Sequence, residues 1–151
     1  MRARTVAAVV TASALAVVGA VFGFGRTSPL AAQKAVMHST VFEWTDNDAK
    51  PNAWGAARQV TRSATPTLDE LEIHISTLNP GQSPHAPHQH AHEELLIVKQ
   101  GTLETFQSGE RRRVGPGGII FQASNEQHNV TNVGDTPAVY YVIGWTSPGV
   151  K

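Results

Sequence analysis

"PHQHAHEELLIVKQG", residues 87–101, sets three histidines and two glutamates directly before an apolar run. His85 lies just upstream, so four of the chain's seven histidines fall within residues 85–92. On an extended segment side chains repeat with period two, which turns His88 and His90 to one side. Two imidazoles on one face can share one divalent cation. Glu94 opens the strand-like "ELLIVK" (94–99) with the parity of Leu96 and Val98. If those two face a protein interior, Glu94 is an acid aimed into apolar surroundings. A lone carboxylate there is expensive, and a cation beside it removes most of the cost. After the strand, "QG" (100–101) leads into "TLETFQ" (102–107), a hairpin in which Gly101 takes positive φ.

The same punctuation continues on both sides. "LDELEIHISTL" (68–78) alternates Leu71, Ile73 and Ile75 against Glu70, Glu72 and His74, the period of a half-buried strand. The apolar set is expected to face the core, leaving His74 at a surface or interface. "NPGQSP" (79–84), "SGERRR" (108–113), "VGPGG" (114–118) and "VGDTP" (133–137) read as turns or breaks. "GIIFQA" (118–123), "QHNVTN" (127–132) and "AVYYVIGW" (138–145) read as strands, and "TDNDAKPNAWG" (45–55) as an irregular loop. Short strands in close succession, with no long 3.6-residue period, predict an all-β sandwich or barrel of antiparallel strands. His128 follows Glu94 by 34 residues and stands at the start of a strand, where a distant fourth donor would come from.

Composition narrows the chemistry. Cysteine is absent, which excludes disulfides, thiolate metal sites and a cysteine nucleophile. Twelve basic residues balance twelve acidic ones, and Arg111, Arg112 and Arg113 read as a solvated loop, so nucleic acid is not an expected partner. The N-terminus differs in kind. After Arg2 and Arg4 no charge appears until Arg26, across an Ala/Val-rich stretch typical of an export signal. Residues 5–25 are also long enough for one membrane span. Small residues end "VGA" at Ala20 and "LAA" at Ala32, so residues 1–32 are expected to be a signal peptide, with an uncleaved anchor as the alternative. The expected product is periplasmic or extracellular, with a β-domain over 38–147. Removing 1–32 takes away three basic residues and no acids, leaving nine against twelve, a net charge of −3.

The spacing His88-x-His90-x3-Glu94-x6-Gly101 resembles the first motif of the cupin family, G-x5-H-x-H-x3,4-E-x6-G. The second motif, G-x5-P-x-G-x2-H-x3-N, is similar to "GGIIFQASNEQHNVTN" (117–132), through Gly117, His128 and Asn132. Ala123 stands for the motif's proline and Asn125 for its glycine, a tolerable exchange because asparagine accepts positive φ. Gly81 lies seven positions before His88 where the motif has six. The resemblance implies a single antiparallel jelly-roll barrel after the apolar leader. It also implies one divalent metal held by His88, His90, Glu94 and His128. Register places His85 and His92 at the rim.

With N and O donors, manganese or iron is the expected cofactor, and nickel, zinc or copper are alternatives. Four protein ligands on an octahedral ion leave two positions for a small oxygen-rich substrate. That vacancy supports a metal-dependent oxygenase, isomerase or decarboxylase, although no catalytic side chain is identifiable. Glu93, Gln122 and Tyr140 or Tyr141 are candidates to line a pocket. The alternative is a non-catalytic module that binds a small ligand, since one fold hosts both classes. Metal buffering by a histidine-rich rim is a third reading. A homodimer is expected because the resemblance implies paired sheets.

Overall fold

The computed structural model describes residues 35–43, 45 and 48–150. The leader expected over 1–32 lies outside the described residues. Among these, nine strands run in chain order: β1 (Lys50–Asn52), β2 (Gly55–Ser63), β3 (Glu70–Leu78), β4 (Glu93–Gln100), β5 (Leu103–Gln107), β6 (Glu110–Val114), β7 (Ile119–Gln122), β8 (His128–Asn132) and β9 (Ala138–Thr146). All the strand pairs are antiparallel. They build a six-stranded sheet, β1-β2-β3-β9-β4-β7, against a three-stranded sheet, β6-β5-β8. This is the expected all-β jelly roll.

Between the sheets lies one core of Leu78, Leu96, Val98, Leu103, Ile120, Val130, Ala138, Tyr140 and Val142. The parity of β4 is as read: Leu96 and Val98 are buried, and Glu94 shares their face. Gly101 has φ +81°, and a Cβ there would lie 2.7 Å from Ala138, so the β4–β5 turn needs glycine for both conformation and space. Asn132 is fully buried and anchors the same end, paired with Leu103 across the β5–β8 ladder. Its Nδ2 donates to the carbonyls of Leu78 (2.9 Å) and Thr136 (2.8 Å), and its Oδ1 accepts from Gly134 N (3.0 Å).

Three readings need correction, and one strand was not read. In β3 the period holds but the face is inverted: His74 and Ser76 look into the barrel, while Ile73 and Ile75 line an outer cleft with Phe42, Val60 and Tyr141. An apolar outer surface over β9 gives those isoleucines a partner, so the strand's polar side is free to line a cavity. Arg111–Arg113 are not a turn. They form most of β6, and the turn is Ser108–Gly109, both at positive φ. Arg111 pairs with Glu104 across the ladder at 3.0 Å, which keeps an exposed edge strand charged. The 45–55 loop contains β1, an edge strand that tolerates Pro51. β2, "GAARQVTRS", has no apolar alternation and escaped a sequence reading altogether.

Candidate metal centre

The ends of β4 and β8 belong to different sheets, and the chain before β4 joins them. His88 and His128 form an isolated antiparallel bridge, with His88 N donating to His128 O at 3.1 Å and His128 N to His88 O at 2.8 Å. Asn125 N donates to His90 O at 2.7 Å, from a tight turn where Asn125 has φ +59°, as its place in the motif requires. Backbone pairing therefore delivers the three imidazoles to one spot.

Hydrogen bonds fix their tautomers. His90 Nδ1 donates to the carbonyl of His92 at 2.9 Å, and His128 Nδ1 to that of Glu126 at 2.8 Å. With Nδ1 carrying the proton, the neutral tautomer of each ring turns a bare Nε2 toward the other, at 3.1 Å. Two lone pairs at that separation repel unless a proton or a metal ion lies between them. His88 joins them, with ring centroids 5.1 Å from His90 and 4.7 Å from His128, and its buried Nδ1 has no hydrogen-bond partner. Burial, reinforced by neighbouring imidazoles, holds the His88 and His128 pKa values below the ordinary imidazole value. Neutral rings with unpartnered nitrogens fit a divalent cation better than they fit one another.

Ligand atoms of His88, His90 and His128 lie within 4.8 Å of one another. Glu94 stands at the side of this group: its Oε1 is 3.6 Å from His90 Nε2 and 3.0 Å from His92 Nε2. Three of the four residues read from the sequence therefore converge, and the fourth, Glu94, reaches them only at His90 and is drawn toward a fifth residue. His92 is that fifth residue. It stacks on His90 with centroids 3.5 Å apart and planes 3° from parallel, and is part of the cluster rather than of a detached rim. The signal was present in the sequence, because 88, 90, 92 and 94 share one parity.

A cavity of about 360 Å³ adjoins the cluster. Leu96, Val130, Val142 and Trp54 give it apolar walls, and His74, Ser76, Gln122 and Tyr140 add polar groups. Gln122 and Tyr140 were among the residues expected to line a pocket. Glu93 and Tyr141 face outward instead. Glu93 accepts from Trp145 Nε1 at 3.0 Å, and Tyr141 lines the outer cleft. Burial raises the Tyr140 pKa to about 12, so this hydroxyl stays protonated at any physiological pH. His85 packs edge-on against His88, 3.9 Å between centroids, and also lines the cavity.

Residues 74–144 match the cupin domain family Cupin_2. The barrel has the cupin fold. Solved structures agree: a Cupin 2 conserved barrel domain protein from Salinispora arenicola superposes with TM-score 0.56 at 22% identity, covering 72% of this chain and 90% of that one. An RmlC-like cupin from Shewanella frigidimarina gives TM-score 0.56 at 13% identity, covering 74% and 95%. A sugar phosphate isomerase from a cupin superfamily, from Silicibacter pomeroyi, gives 0.48 at 23% identity, and this chain spans only 52% of its length. Comparison with curated proteins gives no match.

Proposed function

We propose that this cupin barrel holds one divalent metal ion through His88, His90, His128 and Glu94, and uses it on a small, oxygen-rich substrate. The observation that carries the reading is the facing pair of bare Nε2 atoms on His90 and His128, 3.1 Å apart beside a cavity. When bound, the cation supplies Lewis acidity to a chelating substrate, in an oxygenase, isomerase or decarboxylase type of reaction. With three imidazoles, one carboxylate and no thiolate in reach, manganese or iron is our choice of metal.

The chain's own contribution is positional. Backbone carbonyls of His92 and Glu126 hold the tautomers of His90 and His128. Leu96, Val130 and Val142 exclude water from one side of the bound molecule. Tyr140, held protonated, offers a hydrogen bond to a substrate oxygen, and Gln122 offers a second polar contact.

Metal analysis of the purified domain, followed by turnover assays on hydroxyketones, diketones, enediols, dicarboxylates and sugars with and without dioxygen, tests the proposal. About one ion per chain and loss of turnover on its removal are expected. A loaded protein that binds such compounds tightly and never transforms them is instead a ligand-binding module. Beyond the site, we propose that residues 1–32 direct export, which N-terminal sequencing of secreted protein tests. Two copies are proposed to pair through the apolar outer sheet face.

A further inference from the structure

We infer that His92 is a positioning residue for the metal centre, acting through the Glu94 carboxylate. The inference rests on the metal-binding reading above and adds a residue outside the motif spacing. Two groups of donor atoms occur in the site, His88/His90/His128 and His90/His92/Glu94, and they meet at His90. Within the second, His92 Nε2 lies 3.0 Å from Glu94 Oε1, closer than the 3.6 Å from His90 Nε2 to the same oxygen. The carboxylate oxygen that faces His90 is thus engaged by an imidazole N–H, which limits rotation of the group.

The His92 ring has little freedom to do otherwise. It is stacked on His90 at 3.5 Å, and its own backbone carbonyl accepts the His90 Nδ1–H at 2.9 Å. Beneath it, β9 presents Gly144. A Cβ there would touch His92 Cδ2 at 3.5 Å and Glu94 Cγ at 3.6 Å, so the pair rests against a glycine floor. The side chain of Glu94 is 17% exposed and that of His92 34%, placing the pair at the junction of cavity and solvent. One residue therefore fixes the tautomer of one proposed ligand and the orientation of another. Outer partners of this kind are worth about ten- to a hundredfold in metal affinity.

A double-mutant cycle on the full domain, read by chelator competition for Mn(II), tests the assignment. His92→Ala should weaken Mn(II) binding by about ten- to a hundredfold. In a Glu94→Ala background the same substitution should change affinity less than about twofold, because the group it acts through is gone. His92→Gln, which keeps an N–H donor, should recover much of the loss. The visible absorption of the Co(II)-loaded protein should shift in His92→Ala and return in His92→Gln. A loss that persists undiminished without Glu94 would make His92 a direct ligand, and unchanged or tighter binding in His92→Ala would remove its role; either overturns the inference. If the unsubstituted protein takes up no metal, the function proposed above fails; if it binds metal and His92→Ala does not weaken that binding, the inference fails alone.

Discussion

The two faces of the six-stranded sheet are built from the same strands and are both rich in apolar side chains, yet they do different work. On the inner face, Leu96, Val98, Tyr140 and Val142 are buried together, and Glu94, Gln122, His74 and Ser76 interrupt them around a cavity. On the outer face, Ile73, Ile75 and Tyr141 line a shallow cleft, while Ile119 and Phe121 are 62% and 48% exposed at the β7 edge. Hydrophobicity alone does not separate such faces. What separates them is where imidazoles and a carboxylate converge beside a cavity, which among the described residues happens on the inside.

The sharpest way to break this contrast is to attack the polar cluster. His90→Ala or His128→Ala should abolish stoichiometric metal binding, measured by elemental analysis after dialysis, whereas His74→Ala should retain it. A full metal complement in either of the first two would mean the wrong ligands have been chosen. Acid acts in the same direction. Because the pKa values of His88 and His128 are lowered in the fold, the unfolded chain takes up protons first as pH drops below the unperturbed 6.5. Stability of the metal-free domain is therefore lost on acidification, and bound metal should lower the pH at which unfolding occurs.

Packing gives the next effect in size. Leu96→Ala, in the inner core at 2% exposure, should cost roughly 2–5 kcal/mol in denaturant unfolding. Its outward neighbour Leu95→Ala should cost about 1 kcal/mol or less in a monomer, since the residue is only half-buried. Equal costs would show that the outer face is as thoroughly covered as the core, as a tight dimer would make it.

Smaller still is the alkaline effect of Tyr140. The unfolded chain releases this proton near pH 10 and the folded chain only at about 12. Between those values the folded state holds the extra proton, so stability falls as pH rises, by at most about 1.4 kcal/mol per pH unit. Tyr140→Phe should flatten that slope relative to the parent, and identical slopes would place the hydroxyl in solvent. The smallest expected change is on the outer edge. Phe121→Ser should leave monomer stability within about 0.5 kcal/mol while reducing self-association in light scattering. A parent protein that is monomeric at micromolar concentration would count against pairing through this face.

The sequence carried the proposed ligands further than it carried the sheet. His88, His90, Glu94 and His128 are legible because period two and strand-end placement are local facts; the structure groups the three histidines, and Glu94 meets them only at His90. Asn125 and Gly101 are legible because positive φ leaves few choices of residue. By contrast β2 has alanine and arginine where a strand usually has branched side chains, and only its pairing with β1 and β3 makes it extended. β6 hides behind three arginines, two of which, Arg111 and Arg113, find their partner Glu104 on the neighbouring strand. His74 was assigned to the wrong face because choosing between two apolar sides needs the opposing sheet. His92 was set aside by motif register, although its parity matched that of the residues beside it.

The pairing of His88 with His128 also bears on how the domain opens. These residues are 40 positions apart and sit where the two sheets meet, so a cation held at this point works as a removable cross-link in a chain that has no cysteine. Amide protons of both residues report on that seam. Metal loading should slow their exchange with solvent together, and by more than it slows exchange in the distant β5–β6 hairpin, because separating the sheets then requires releasing the ion.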